Sequence, residues 1–136
     1  MTDCVFCKII KGEIPSEKIY EDSEVIAFLD IAPVHPGHTL VVAKTHHETL
    51  LETPDETACY LLSIVKKIMP AILKSTDAQG INVGINNGSA AGQVVPHIHY
   101  HVIPRFSNDG LKFWPQQKYQ EGQIKNIGAR IRTLLL

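Results

Sequence analysis

The sequence lacks several features that mark other classes of protein. No apolar run approaches the ~20 residues that a helix needs to span a bilayer, and Met1-Thr2-Asp3 has neither the basic nor the apolar region of a signal peptide. Lysine and arginine are scattered and the formal net charge is -1, so no basic surface for nucleic acid is expected. These absences favour a cytoplasmic protein that binds neither membranes nor nucleic acid.

Cysteine is also scarce, with three residues in the chain. An odd number in a chain without an export signal argues against a disulfide framework. Two of them form the pair Cys4-x-x-Cys7, whose spacing lets both thiolates reach one tetrahedral zinc ion. The alternatives are two reduced cysteines without metal and, less favoured, a thioredoxin-like redox pair. Cys59 lies beside the apolar stripe of a predicted helix, where we expect a small buried side chain.

The 136 residues, 44% of them hydrophobic, suffice for one globular domain with its own core. Strands are predicted at residues 18–21, 24–29, 38–43, 81–86 and 97–103. Short connections between neighbouring strands favour an antiparallel sheet. One long helix is predicted to start at residues 53–56, with Thr53 as the N-cap of a capping box, and a shorter helix closes the chain. The fold class is therefore α+β.

The most informative stretch is residues 86–105. Here His97, His99 and His101 alternate with apolar residues, so a strand would place the three imidazoles on one face at steps of roughly 6.6 Å. The apolar face should be the buried one, since a slip of one residue would bury the histidines. The preceding loop, residues 86–93, is rich in glycine and asparagine, which suits positive φ and backbone N–H groups offered to a ligand.

Such a loop beside a row of imidazoles suits phosphate chemistry. One imidazole with a pKa near ~6.5 can attack phosphorus while a neighbour stabilises charge or protonates the leaving group. The alternative for the histidine row alone is a solvated strand face or an adventitious metal site.

Residues 92–103, with the sequence GQVVPHIHYHVI, resemble the signature of the histidine triad (HIT) family. The resemblance extends to residues 28–31, 36–41, 44–46 and 86–88 in the same order. It implies a single HIT-like domain over residues 1–136, with a core at about 4–105 and a C-terminal tail and helix at 106–136. It also implies a homodimer that acts as a nucleotidyl hydrolase or transferase.

The resemblance assigns catalytic roles to His99, His101 and His97. His99 would attack the α-phosphorus to form a nucleotidyl-imidazole intermediate that water cleaves, and His101 would bind phosphate oxygens and help the leaving group depart. Asp30 would bind the ribose hydroxyls. The full set implied to bind nucleotide is Asp30, Ile31, His38, Asn86, Gly92, Gln93, the Val94 backbone, His99 and His101.

The implied substrate is a purine nucleotide of the AMP type with an amine, acyl or phosphate leaving group. Val94 stands where phosphoramidase-like members often carry serine. Adenosine phosphoramidates, aminoacyl-adenylate-like anhydrides and dinucleoside polyphosphates are therefore all left open.

The resemblance also implies a structural zinc ion held by Cys4, Cys7, His46 and His97, with His47 as the competitor for His46. A zinc-bound His97 could not also transfer protons freely, which would leave the chemistry to His99. Two other functions are weighed beside the enzyme. One is a zinc-stapled nucleotide-binding module with incidental turnover, and the other is metal carriage by an exposed histidine row.

Overall fold

The computed structural model describes residues 3–136. Within that range the helices are α1 Val5–Ile10, α2 Asp55–Thr76 and α3 Gln123–Leu134, and a 3-10 turn covers Ser89–Ala91. The strands are β1 Lys18–Glu21, β2 Val25–Leu29, β3 Thr39–Ala43, β4 Gly80–Gly84 and β5 His99–Arg105. They form one sheet in the order β1-β2-β3-β5-β4, and every neighbouring pair is antiparallel. The predicted α+β fold is confirmed.

Both faces of this sheet are covered. On one face, the apolar side of α2 packs against a cluster that includes Val41 and Val102. On the other face, Phe6 of α1 packs against Ile26 and Phe28 of β2 and their neighbours on β3. His99 pairs with Val42 and His101 with Leu40, so the histidine row lies on this second face.

The expectation of an exposed histidine face is therefore wrong. His97 is fully buried and His99 is 7% exposed, because α1 and the segment before β5 close over them. The strand also begins two residues later than predicted. The N–H of His97 donates to the carbonyl of Val95 and that of Ile98 donates to the carbonyl of His47, so neither residue joins the ladder.

Two further expectations about the long helix fail. The hydroxyl of Thr53 donates to the carbonyl of Thr49 at 2.7 Å, and no side chain caps the start of α2. Cys59 is exposed, because the buried side of α2 is formed by residues at positions 61, 64, 65, 68 and 72.

The C-terminal segment contributes little to this core. No residue of α3 is buried, and the apolar side chains of Ile124, Ile131 and Leu134 are more than half exposed. Phe113 and Trp114, in the irregular stretch before α3, are also exposed. Among the residues described, no helix combines the length and the apolar character needed to cross a membrane.

Candidate active site and metal centre

The ring of His99 is held in one tautomer by the backbone. Its Nδ1 lies 2.6 Å from the carbonyl oxygen of His97. Because a carbonyl oxygen only accepts, Nδ1 carries the proton and Nε2 keeps its lone pair. Phe6 packs edge-on against the His99 ring, with centroids 4.9 Å apart, and fixes its plane. A neutral imidazole with a free Nε2 lone pair is equipped to act as a nucleophile.

A relay of hydrogen bonds sets the tautomer of His101. The N–H of Val34 donates to Nδ1 of His38 at 3.0 Å, so the proton of His38 is on Nε2. That Nε2 is 2.9 Å from Nδ1 of His101. Since His101 accepts there, its own proton is on Nε2. The His97 carbonyl thus leaves His99 with a lone pair, and the relay leaves His101, whose ring centroid is 4.9 Å away, with a donor.

The same relay bears on a second cluster of possible metal ligands. Oxygen and nitrogen atoms of Asp30, His38 and His101 lie close enough to share an ion. However, Nδ1 of His38 already accepts from a backbone N–H, so a metal on its Nε2 would require an imidazolate. The geometry therefore disfavours a metal here, and Asp30 lies 3.6 Å from Nε2 of His38 as an electrostatic partner.

Burial keeps these rings neutral. Desolvation is the main cause that lowers the pKa of His99 and of His101, and the positive charge that each would place near another histidine adds to it. Asp30 acts in the opposite direction on both. Desolvation also lowers the pKa of His38, again opposed by Asp30.

A cavity of about 770 Å³ opens beside His99 and His101. Its lining includes, from the predicted nucleotide-binding set, Asp30, Ile31, Asn86, Gly92, Val94, His99 and His101. The remainder of the wall is mainly apolar and comes from α1, the following loop and the ends of β2 and β3. This size and mixture suit a flat apolar group attached to a polar one.

Two predicted nucleotide-binding residues do not line this cavity. His38 lies behind His101, as the relay requires. Gln93 accepts from the N–H of Gly88 through Oε1, and its Nε2 lies 2.6 Å from the carbonyl of Glu48 and 3.1 Å from that of Val95. The amide of Gln93 therefore braces the loop.

The loop of residues 86–93 is less open than its composition suggested. The N–H groups of Ala91, Gly92 and Gln93 all donate to carbonyls within the loop. Gly88 and Gly92 do adopt positive φ, at 92° and 89°. Within the described chain, the N–H of Val94 has no protein acceptor, so this amide, at the rim of the cavity, is left for a ligand. The N–H groups of Ala91, Gly92 and Gln93 are therefore used within the loop, while that of Val94 remains open to a ligand.

Asp30 is presented by a braced loop. Its Oδ1 accepts from the N–H of Ala32 at 2.9 Å, which leaves much of the carboxylate's accepting capacity unused. Farther along the loop, Nε2 of His35 lies 3.1 Å from the carboxylate of Asp109, which also holds Arg105. The hydrogen bond from Arg105 is the main cause that lowers the pKa of Asp109. This contact ties the loop to the segment after β5, a link between distant residues that local sequence patterns do not reveal.

The Cys-x-x-Cys pair meets two histidines on the same side of the sheet. Nδ1 of His97 is 3.3 Å from Sγ of Cys4 and 3.6 Å from Sγ of Cys7. Nδ1 of His46 is 3.3 Å from Sγ of Cys7 and 3.1 Å from Nδ1 of His97. An ion ~2.0–2.3 Å from each ligand of a tetrahedron needs ligand atoms roughly 3.3–3.8 Å apart. The three nitrogen–sulfur distances fall in this range and the nitrogen–nitrogen distance lies slightly below it, so the cluster is close to the spacing that zinc requires.

The donor chemistry agrees with this geometry. Nε2 of His97 lies 2.7 Å from the carbonyl of Ala43, which fixes the proton there and turns the Nδ1 lone pair toward the sulfur atoms. Burial lowers the pKa of His97 to about 4, so the ring is in the neutral form that a metal needs. His46, and not His47, belongs to the cluster. Nε2 of His46 is buried and has no hydrogen-bond partner in the described part of the chain.

The sequence interpretation missed the wall that α1 supplies. Val5, Phe6 and Ile9 line the cavity, whereas the sequence predicted for this segment only a cysteine pair and a short helical turn ending at Gly12. The signal was present in the apolar residues at positions 5, 6, 9 and 10, which recur at helical spacing.

Comparison with known proteins identifies the family. A family model described as the HIT domain matches residues 11–108, which is more than half of the chain. The chain belongs to the HIT domain family. The histidine row, the Cys pair and the five-stranded sheet are thus features of a HIT protein, and the resemblance inferred from the sequence is confirmed.

Two curated relatives carry named activities. This HIT protein is 42% identical over 132 residues to adenosine 5'-monophosphoramidase hnt1 of Schizosaccharomyces pombe, with 96% of each chain covered. It is 44% identical over 123 residues to adenylylsulfatase HINT3 of Arabidopsis thaliana, with 90% of this chain and 61% of that protein covered.

Solved structures extend the similarity to the whole chain. A HIT family member from Bacillus subtilis superposes with a TM-score of 0.87 at 44% identity, covering 96% of both chains. A Zn-bound histidine triad family protein from Mycobacterium smegmatis superposes with a TM-score of 0.78 at 38% identity, covering 98% of both.

Proposed function

We propose that this HIT protein is a nucleotidyl hydrolase that cleaves a nucleoside 5'-phosphate of the AMP type from its leaving group through a covalent intermediate on His99. The observation that carries the proposal is the tautomer of His99, whose Nδ1 proton is held by a backbone carbonyl so that the Nε2 lone pair is free. The named activities of the yeast and plant relatives support the same reaction class.

In the first step, Nε2 of His99 attacks the α-phosphorus. A phosphorus–nitrogen bond forms as the bond to the leaving group breaks, and the leaving group departs with that electron pair. An amine leaving group also takes a proton from solvent, whereas sulfate departs as the anion. The Nε2–H of His101 donates a hydrogen bond to charge that develops on the phosphoryl group or the leaving atom. The Val94 N–H is a second donor at the rim.

In the second step, water attacks the same phosphorus. The new phosphorus–oxygen bond forms as the bond to His99 breaks, the electron pair returns to Nε2, and the spare proton of the water passes to solvent. The net reaction is the addition of one water to the substrate. Throughout, the Nε2–H of His38 donates a hydrogen bond to Nδ1 of His101. This bond keeps the proton of His101 on Nε2, where it can be donated to the substrate.

The cavity divides the substrate between its polar and apolar parts. Asp30 is proposed to accept hydrogen bonds from the ribose hydroxyls, since its carboxylate lies at the cavity and is only partly used by the chain. Ile31 and the apolar wall formed with α1 are proposed to enclose the purine. Asn86 and Gly92 line the phosphate end beside Val94.

The leaving group is proposed to be an amine or a sulfate, since the relatives' names refer to a phosphoramidase and an adenylylsulfatase, and an acyl group is a further candidate. Dinucleoside polyphosphates are the last candidate. Turnover of a panel of adenosine 5'-phosphoramidate, adenylyl sulfate, an acyl adenylate and a dinucleoside polyphosphate decides among them. Tight AMP binding with negligible turnover of all four would instead support a nucleotide-binding module.

The pH profile provides a test of the neutral rings. Protonation of His99 would occupy its Nε2 lone pair, and burial lowers the pKa of that ring below its ordinary 6.5. The neutral form therefore persists to lower pH than in free imidazole. We expect kcat/KM for a phosphoramidate, measured from about pH 5 to 8, to fall on the acid side with a midpoint below 6.5. A midpoint above that value would contradict the assignment of a desolvated nucleophile.

Zinc is proposed as a structural ion held by Cys4, Cys7, His46 and His97. When bound, it would supply four bonds that tie the first helix to the strand region that carries His99, with no part in the chemical steps. His97 is therefore proposed as a ligand and a positioning residue, because its ring nitrogens are both committed and its carbonyl holds His99.

We further propose a homodimer in which α3 packs against a second copy. Its apolar side chains are exposed in one chain, yet the Bacillus subtilis structure superposes over 96% of the chain with a TM-score of 0.87. Such a score requires that part of the segment after residue 105 superpose as well. An exposed apolar helix would keep the same position in two related proteins if it packed against the surface of another protein chain.

An aspartate in the apolar face of α3 tests this dimer. We expect the wild-type protein to sediment at twice the 15.1 kDa chain mass and Ile131→Asp to shift it toward one chain, because the buried charge would lack a partner. Asn126→Asp, on the opposite side of the same helix, is the matched control and should stay dimeric. A monomeric wild-type protein, or a dimer unaffected by Ile131→Asp, would rule out this interface.

A further inference from the structure

We propose that the nucleotide cavity and the Cys/His cluster are thermodynamically coupled through α1, so that zinc raises the affinity for nucleotide and nucleotide raises the affinity for zinc. The inference rests on the proposed function only in requiring that the cavity bind a nucleoside monophosphate. It assigns to the metal ligands a role beyond stability, namely control of the cavity wall.

The helix α1 belongs to both sites. Cys4 is its N-cap and Cys7 lies within it, so half of the cluster is carried by this helix. Val5, Phe6 and Ile9, on the same short segment, line the cavity. No position on α1 lies more than two residues from a cysteine of the cluster or a residue of the cavity.

The helix has few other attachments to the sheet. It is six residues long, far below the length at which a helix is stable in water by itself. Its backbone hydrogen bonds, in the part of the chain that the structure describes, stay within residues 4–14. Its anchors to the sheet are the buried ring of Phe6, which packs against Phe28 with centroids 5.6 Å apart, the partly buried side chains of Ile9 and Ile10, and the Cys/His cluster.

A second connection runs through the backbone of His97. Its Nδ1 belongs to the cluster, and its carbonyl oxygen accepts the Nδ1 proton of His99. The ring of Phe6 then covers His99 edge-on. Ordering the cluster therefore orders both the wall of the cavity and the ring beside the phosphate position.

These contacts imply a reciprocal effect. If binding of either zinc or nucleotide orders α1, the first ligand pays the loss of conformational entropy of this helix. The second ligand then binds to a helix that is already ordered, so its own binding is tighter. Linkage requires that the factor be the same in both directions. Couplings of this type are typically 5–150-fold, and for one short helix we expect about tenfold.

The first experiment compares AMP binding by the zinc-loaded protein, by the protein stripped with a chelator, and by the stripped protein after zinc is restored. We expect the dissociation constant for AMP to rise about tenfold on stripping and to return with zinc. The second experiment measures zinc release from the loaded protein to a colorimetric chelator with and without AMP, and we expect AMP to slow or weaken release by a similar factor. Inorganic phosphate at the same concentration controls for zinc binding by the phosphate group itself.

Phe6→Ala separates coupling from simple destabilisation. It keeps all four ligand side chains and removes the ring that joins α1 to Phe28 and His99, so we expect a zinc-loaded protein in which AMP, at a concentration that saturates this variant, no longer affects zinc release. Lys11→Ala, at the exposed end of the same helix, is the matched control and should keep the full effect. Retention of the AMP effect in the Phe6 variant would overturn the route through α1.

The outcomes separate the two proposals. AMP affinity that is equal with and without zinc, together with zinc release that AMP does not alter, would overturn the coupling while leaving the enzyme intact. Failure of the loaded protein to bind AMP at all would contradict the proposed function and the coupling together. The release experiment uses only the loaded protein, so it decides the question even if the stripped protein unfolds.

Discussion

His99→Ala should lower kcat for adenosine 5'-phosphoramidate by about 10⁴-fold or more, while the dissociation constant for AMP changes by less than about threefold. The large effect is expected because the variant has no atom to form the phosphorus–nitrogen bond, and the remaining donors alone cannot replace it. Binding should survive because Asp30, Ile31 and the wall formed by α1 are unchanged. Steady-state kinetics and calorimetric titration measure the two quantities.

The control for this variant is His47→Ala. His47 is a histidine near the metal centre whose ring belongs to neither the cluster nor the cavity wall. It should retain activity close to that of the wild-type protein. A mass increase equal to one AMP on the wild-type protein, trapped with a slow substrate and located on the peptide with His99, would support the covalent step. Near-normal turnover by His99→Ala would refute it.

Replacing both Cys4 and Cys7 with serine should reduce zinc from about one ion per chain to a trace and lower the free energy of unfolding by several kcal/mol. Serine hydroxyls are poor zinc ligands at neutral pH, so the variant keeps only the two histidines. The stability falls because α1 is no longer bonded to the strand region through the metal. The packing of Phe6, which is 5% exposed, against the sheet is weakened as a result. Elemental analysis and urea unfolding measure the two effects.

Cys59→Ser provides the matched comparison, since Cys59 is the exposed third cysteine and lies on α2. It should keep both its zinc and its stability. If the double variant retained one zinc per chain, Cys4 and Cys7 would be removed from consideration as ligands.

The sequence was most informative where the relevant interactions are local or periodic. The long helix and the closing helix follow from the spacing of apolar residues, and the antiparallel sheet follows from the short connections between neighbouring strands. The alternation of His97, His99 and His101 also predicts correctly that their rings lie on one side. Alternation cannot tell whether that side is covered, because the cover comes from α1, more than 80 residues earlier in the chain. The burial of the histidines was therefore wrongly predicted.

The same limit explains the errors in the loop before β5. Glycine and asparagine at residues 86–93 predicted positive φ, which Gly88 and Gly92 adopt. The composition did not reveal that Gln93 would hold Gly88 and reach the carbonyl of Glu48, a residue 45 positions away. Thr53 likewise follows a local capping rule, but its hydroxyl finds a closer acceptor in the preceding turn. In both cases the side chain forms hydrogen bonds with backbone groups that the local sequence pattern does not indicate.

Local spacing also left the zinc ligands ambiguous. It could pair Cys4 with Cys7, but it could not choose between His46 and His47. The structure brings His46 to the cluster and uses the backbone carbonyl of His47 to hold the segment before β5. Two adjacent histidines thus have different tasks, one through its ring and the other through its backbone carbonyl.

Two main-chain groups, the Val34 N–H and the His97 carbonyl, determine which ring nitrogens of the site carry protons. An engineer who transplanted only His-x-His-x-His onto an exposed strand of another scaffold would obtain rings free to rotate and to swap tautomers, a good chelator and a poor nucleophile. A working graft would have to carry the amide that donates to His38 and the carbonyl that accepts from His99. For designers, the minimal motif is therefore a piece of backbone with its histidines attached.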